Sequence, residues 1–316
     1  MPSLDPDVRR LVEAGRQAGK PPFEALTPAQ ARAAYAASWD LLQAPAPAVG
    51  EVRDLSIDGP AGPLALRLYR PAQAEPGEPL PALLFLHGGG WVIGNLDSHD
   101  RLCRSLCHLA RACVVAVDYR LAPEHPFPAA LDDSACAWRW LQAQAAALHI
   151  DAGRIGIGGD SAGGNLAAVI ALTARDGAFA APCLQLLLYP VVDAAADDTG
   201  SYRTVTGVPL TAATMRWFIG HYAPPAVRGD WRVSPLRRDS LAGLPPTILF
   251  TVAHDPLCDE GRAYGRRLED AGVPLLALHA GDQIHGALMQ GRPVRAARTL
   301  LEMLGTALRA SFEPRA

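Results

Sequence analysis

The first residues with a clear chemical use lie at 159–164, GDSAGG, where Gly-x-Ser-x-Gly sets Ser161 among neighbours with almost no side chain. That spacing puts a serine on a sharp strand-to-helix turn with its hydroxyl accessible. Composition alone yields the pattern about 0.1 times in such a chain, so the flanks decide its meaning. Residues 154–158 (RIGIG) read as a buried strand and the run NLAAVIAL from Asn165 as a helix, which is the required setting. Read from Gly156, the same glycines give G-x-G-x-x-S, a dinucleotide loop without its third glycine and placed mid-chain, so that reading is set aside. A serine hydroxyl barely ionises at neutral pH; it needs a base, and the base needs an acid to orient it.

Of the nine histidines, most are expected to do no chemistry: His108 and His149 lie in helical patterns, and His279 in a strand run. His285 differs, standing in GDQIHG after a strand expected at 274–279. Asp255 follows directly on a strand at 247–252, so its carboxylate would project at a carboxyl end. Asp259, Glu260 and Asp282 compete for the role, but the first two suit the opening turn of the next helix, where acids offset the dipole. A further element is HGGGW at 87–91, closing the strand 82–86. Consecutive glycines let backbone N–H groups approach a ligand and point the same way, as stabilising an oxyanion requires.

The elements that must position these groups are legible from periodicity. Strands that are apolar throughout are expected at 82–86, 113–118, 154–158, 184–189, 247–252 and 274–279, and helices near 99–111, 128–148, 164–175, 260–271 and 292–309. Apolar strands alternating with helices predict a parallel sheet covered on both faces. Residues 50–57 and 63–70 alternate around DGPAG, predicting an antiparallel hairpin at one edge of the sheet. Residues 1–48 are Ala-rich and helical in spacing, and end in the Pro-rich QAPAPAVG. Between about 193 and 242 the repeat breaks, with an isolated helix at 211–222, which suits a lid better than a second domain.

The 29 basic and 32 acidic residues leave a net charge of −3, giving no electrostatic reason to expect a nucleic-acid or anionic-membrane partner. The apolar runs are far short of the ~20 residues that span a bilayer. The amino terminus carries no apolar run of the signal-peptide kind, and the six cysteines form no disulfide framework. The expectation is a cytoplasmic protein with reduced thiols. Cys103, Cys107, Cys113 and His108 cluster without zinc spacing, so no metal is expected.

HGGGW, YRLAPEHPFPAA (119–130), GDSAGG, HDPLCDEG (254–261) and IHG (284–286) together resemble the bacterial hormone-sensitive-lipase-like carboxylesterases. The motifs span 87–286 in the family's order. The resemblance implies an α/β-hydrolase fold: an eight-stranded, mostly parallel sheet with helices on both faces. A helical cap would be built from residues 1–48 and the 193–242 insertion, with 49–316 as the catalytic domain. It implies a serine esterase that hydrolyses short-to-medium-chain esters through an acyl-enzyme, with water as co-substrate and no cofactor. Carried over by motif, Ser161 is nucleophile, Asp255 acid and His285 base; Gly89, Gly90 and Ala162 are oxyanion-hole donors, with Gly88 in the same loop. Trp91, Trp39, Met215, Trp217 and Phe218 are candidate pocket residues, although ordinary packing explains them equally well. The family often forms homodimers, but no residue here identifies an interface. Two departures, Cys258 where Arg is frequent and Ala287 where Phe is frequent, touch pocket detail only. A ligand-binding receptor of the same fold is the rival reading, together with hydrolysis of amides, lactones, carbamates or thioesters, or acyl transfer to an alcohol. An intact Ser–Asp–His set favours the enzyme over the receptor.

Overall fold

In a computed structural model, which describes residues 3–75, 77–196 and 200–313, all eight strands join one sheet. They are β1 (Glu51–Gly59), β2 (Gly62–Arg70), β3 (Leu80–Leu86), β4 (Cys113–Val117), β5 (Ile150–Asp160), β6 (Gln185–Leu188), β7 (Thr247–His254) and β8 (Leu275–Ile284). Their spatial order is β1-β2-β4-β3-β5-β6-β7-β8. The hairpin β1–β2 is antiparallel and lies at one edge, while every pairing from β4 onward is parallel.

The helices longer than four residues are α1 (Pro6–Gln17), α2 (Pro28–Ala36), α4 (Asp100–Ala110), α5 (Ala129–Gln144), α6 (Ala162–Arg175), α8 (Ala212–Tyr222), α9 (Cys258–Asp270) and α10 (Arg295–Phe312). Two short ones complete the series, α3 (Trp39–Leu42) and α7 (Ser201–Thr204). Both sheet faces are covered, and strand alternation shows it. Leu84, Leu86, Val115, Val117 and Ile157 join one core with α5, α6 and α9, while Leu83, Phe85, Val114, Ala116, Leu186 and Phe250 join the other with α4 and α10. Strands buried on both sides need apolar side chains at every position, and β3 and β4 have no exposed residue.

Two strands run longer than their apolar stretches. β5 starts at Ile150, paired to Leu80 across an irregularity, and β8 continues through Gly281, Asp282 and Gln283 because Ile284 regains a partner in His254 after a register shift. Polar side chains hide such extensions from a hydropathy reading, since ladder hydrogen bonds belong to the backbone. His285 consequently follows the end of β8 directly rather than standing in a long loop.

The amino-terminal helices and the 193–242 segment pack on each other. Val8 and Val12 of α1 share a small core with Val205 and Val208, and Arg16 donates to the Gly207 carbonyl at 2.7 Å. Phe23 meets Phe218 of α8 with ring centroids 5.9 Å apart, and Thr214 donates to Glu24 at 2.7 Å. Among the described residues no helix is long and apolar enough to cross a membrane.

Candidate active site

Ser161 joins the end of β5 to the start of α6 with φ 55° and ψ −118°. A non-glycine residue there costs about 1–3 kcal/mol and persists only where the surroundings impose it. Here they do. The Ser161 N–H donates to Leu188 O at 2.8 Å, and its own carbonyl accepts from Asn165 and Val191 at 3.1 and 3.2 Å. The turn is possible only with small neighbours: a Cβ on Gly163 would overlap the Leu86 carbonyl, and one on Gly159 would overlap Gly163. α6 anchors the assembly, with every residue from Ala162 to Leu172 buried.

Three chain-distant groups meet at this turn. His285 Nε2 lies 2.9 Å from Ser161 Oγ, and His285 Nδ1 lies 2.7 Å from Asp255 Oδ2. Asp255 is 1% exposed, and its other oxygen accepts the Leu257 N–H at 2.9 Å, which fixes the carboxylate plane. Since Asp255 takes an N–H from Nδ1, Nε2 is left as an acceptor for the serine proton. The Tyr189 ring packs beside the imidazole at 4.8 Å between centroids. Of the competing acids, Asp259 accepts the Ser201 N–H at 2.8 Å and Glu260 those of Val192 and Asp193 at 2.7 and 3.2 Å. Both lie in the first turn of α9, as expected, but Glu260 is buried there, and burial pushes its carboxyl well above the usual range.

The loop after β3 faces the same turn. Gly89 and Gly90 have φ of 115° and 58°, and a Cβ on either would strike Ile93 or Phe218 respectively. Among the described residues the N–H groups of Gly89, Gly90 and Ala162 have no protein acceptor, so three amides stay available. Gly88, grouped with them by motif, is a correction: its N–H is bound to Asp160 Oδ1 at 2.7 Å and cannot serve a ligand. Its neighbours hold the loop from below. His87 Nδ1 donates to Gly88 O at 2.8 Å, its ring stacks on Tyr119 at 4.2 Å, and Tyr119 donates to His87 O at 2.6 Å. Burial, reinforced by nearby His99, pulls His87 down to about 3, so its ring is neutral. Burial opposes the charge of Asp160, yet His99, His87 and the Gly88 N–H together keep that carboxyl below the ordinary range.

The loop is also tied from α2. Arg32 donates to Val92 O at 2.8 Å, to Ala122 O at 2.9 Å and to both oxygens of Glu124 at 2.8 and 2.6 Å. Its guanidinium holds the Glu124 carboxyl down to about 2. Neither Arg32 nor His99 stood out in the sequence, because an arginine on an Ala-rich helix and a histidine before a helix carry no motif of their own.

The candidate pocket residues separate into three groups. Phe218 and Met215 of α8 are buried, and Phe218 lies directly on Gly90, with Trp217 edge-on to it at 5.1 Å. Trp91 is fully buried and stacked on Tyr222 at 4.2 Å, so it locks the loop to α8 rather than facing a ligand. Trp39 borders two outer clefts, one with Arg67 and Asp97 and one with Arg32 and Glu124; neither is lined by Ser161 or His285. Its expected place in a substrate pocket is therefore corrected: Trp39 packs edge-on to Tyr35 at 6.2 Å between centroids and borders these clefts instead.

Among the described residues no group of three or more His, Cys, Asp or Glu side chains is placed to hold a metal. Cys103 and Cys107 are free buried thiols pushed up by burial, and Cys113 and Cys258 are pushed up to about 11 for the same reason.

A family model described as alpha/beta hydrolase fold matches residues 83–289. Ethyl acetate hydrolase of Pseudomonas putida is 43% identical over 313 residues, covering 97% of this chain and 98% of that protein. A thermostable esterase from Pseudomonas putida ECU1011 superimposes with a TM-score of 0.94 at 34% identity, covering 100% of this chain and 99% of that one. An α/β-hydrolase enzyme from the metagenome of Lake Arreo, Spain, gives 0.93 at 38% identity, covering 98% of both chains. This chain is a carboxylic ester hydrolase and belongs to the hormone-sensitive-lipase-like carboxylesterases of the α/β-hydrolase superfamily.

Proposed function

We propose that Ser161 is the nucleophile, His285 the general base and acid, and Asp255 the carboxylate that orients it, with Gly89, Gly90 and Ala162 supplying the oxyanion hole. As Ser161 Oγ attacks the ester carbonyl, His285 Nε2 takes its proton, and Asp255 offsets the imidazolium that forms. The carbonyl oxygen becomes an oxyanion met by amides that need no reorganisation, which is where most of the acceleration arises. His285 then protonates the departing alcohol. Water, activated by the same imidazole, attacks the acyl-enzyme; the tetrahedral intermediate collapses, the Ser161 oxygen leaves with the proton held by His285, and the acid is released.

The observation that carries this reading is the unbroken contact from Ser161 Oγ through His285 to Asp255, at 2.9 and 2.7 Å. Ser161→Ala should remove hydrolysis of a p-nitrophenyl ester while circular dichroism stays unchanged, and a folded variant with the parental rate would disprove the assignment. A fluorophosphonate probe should label the parent at Ser161 and leave the variant unlabelled. A ligand-binding receptor with an inert site would not label at all.

The amino-terminal helices and the 193–242 segment are read as a cap over this site. Support comes from Phe218 resting on Gly90 and Arg32 bonding Val92, which bring both segments onto the amide loop. Met215, Trp217 and Phe218 then bound the acyl side. A walled pocket of this kind favours short-to-medium acyl chains, in keeping with the ethyl acetate hydrolase relative. Rates across acetate to dodecanoate p-nitrophenyl esters test it, and a maximum at the longest chain would refute it. Six free cysteines support a reducing compartment, so the cytoplasm completes the reading.

A further inference from the structure

Beneath the amide loop lies a buried pair that the ester mechanism leaves unused. Asp160 closes β5 and His99 precedes α4; they are 5% and 1% exposed, with Asp160 Oδ1 3.1 Å from His99 Nε2. The same oxygen accepts the Gly88 N–H at 2.7 Å, so this carboxylate anchors the base of the amide loop. It also immediately precedes Ser161 in the chain.

The opposite side of the His99 ring carries the informative contact. Nδ1 lies 2.8 Å from Ser98 Oγ, and that oxygen already accepts the Asn95 N–H at 2.9 Å and lies 2.8 Å from the Asn95 carbonyl. A hydroxyl has one proton to give. Directed at Nδ1, it would leave two oxygens facing each other at 2.8 Å with nothing between them. Directed at the Asn95 carbonyl, it leaves a lone pair for an Nδ1–H. The Gly88 N–H also lies 3.3 Å from Nε2, but at 2.7 Å from Asp160 Oδ1 its hydrogen belongs to the carboxylate. Nε2, 3.1 Å from that same oxygen, then needs a proton of its own to face it, so both ring nitrogens of His99 carry protons.

We propose that His99 is an imidazolium in the working enzyme and is a positioning residue, balancing the charge of the carboxylate that anchors Gly88. The inference rests on the proposed oxyanion hole. Without that counter-charge, an oxyanion at Gly89, Gly90 and Ala162 would form close to a bare buried carboxylate, in a site where like charges repel strongly. With it, the amides face a neutral pair.

The surroundings agree. The His87 ring, 5.5 Å away on the loop after β3, is neutral, its downward shift owing most to burial. Phe85 of β3 lies 6.3 Å off, and Tyr119, beyond His87, stays neutral because burial pushes it well above its usual value. Cys103 on α4 is likewise neutral. Asp100, next in sequence, is bound to Arg104 at 2.7 Å and near Arg67 at 3.7 Å. Among the described residues Asp160 is the one carboxylate bonded to His99.

Histidine 15N NMR of the wild-type enzyme, with the His99 ring assigned through its proximity to Phe85, should show both nitrogens protonated at neutral pH. His99→Gln keeps a donor toward Asp160 but removes the charge; kcat should fall about ten- to a hundredfold with KM little changed. Asp160→Asn in that background should restore most of the loss, which a merely structural role would not do. A single protonated nitrogen in the wild type, or a double variant as slow as His99→Gln, overturns the proposal. If His99→Gln does not fold, the wild-type spectrum decides. Fluorophosphonate labelling of Ser161 in the wild type separately tests the underlying site, so the two can fail independently.

Discussion

Ser161, Asp255 and His285 stand at or just beyond the carboxyl ends of β5, β7 and β8, where parallel pairings set the height of each strand end. The amide loop opposite them has no such support. Its Gly88 hangs from Asp160, its far end is tied to Arg32 of α2, and its middle rests on Phe218 of α8. Ser161, Asp255 and His285 are thus held by backbone register, and the loop of Gly89 and Gly90 by side chains from elements remote in sequence. The first arrangement is insensitive to most surface changes. In the proposed mechanism the second would link oxyanion binding to how the amino-terminal helices and the 193–242 segment sit.

The largest effect should come from Asp255→Asn, which keeps an acceptor for the Leu257 N–H but inverts the bond to His285; kcat should drop about 10⁴-fold with the thermal midpoint nearly unchanged. Gly90→Ala should cost about 10²–10³ in kcat, because a Cβ there collides with Phe218 and shifts the loop. Adding Phe218→Ala should recover part of this, leaving the ~1–2 kcal/mol that a left-handed alanine costs. No recovery would mean that α8 does not hold the loop. Arg32→Ala should slow kcat about tenfold, toward the hundredfold that an ångström of misplacement can produce, and far less than Asp255→Asn. Equal losses in those two variants would erase the contrast between the two sides.

The smallest effect concerns stability, behind Asp255. Burial raises the Glu260 carboxyl above its unfolded value, so between those two values the folded state binds more protons than the unfolded. Its stabilising contribution is complete below the unfolded value and is lost as pH rises through the folded one. Glu260→Gln keeps an acceptor for Val192 and Asp193 and removes that loss. Its melting temperature should exceed the parent's by roughly 2–4 °C at pH 8 and converge with it near pH 4. A constant offset at both pH values would show that Glu260 does not titrate on folding.

Legibility followed interaction range. GDSAGG needed only its flanks to define a strand, a turn and a helix, because the steric demand for small residues around Ser161 is local. Strands such as β3 and β4 were plain because burial on both faces forces continuous apolar sequence. The end of β8 was hidden, since Gly281 to Gln283 lie in a register shift and look like a loop, while Ile284 beyond them pairs with His254 again. Trp39 and Trp91 stayed ambiguous for a related reason: an aromatic near a motif is consistent with packing or with a pocket, and only neighbours such as Tyr35 and Tyr222 distinguish them.

Sequence alone thus determined the alternation of elements and the residue types able to carry acyl transfer, because periodicity and close backbone packing act between near neighbours. Tertiary structure decided which amides stay free, that Gly88 is bound to Asp160, and that Arg32, Phe218 and His99 hold the loop. Each of those contacts joins segments tens of residues apart, and no local pattern records which distant partner a side chain will meet.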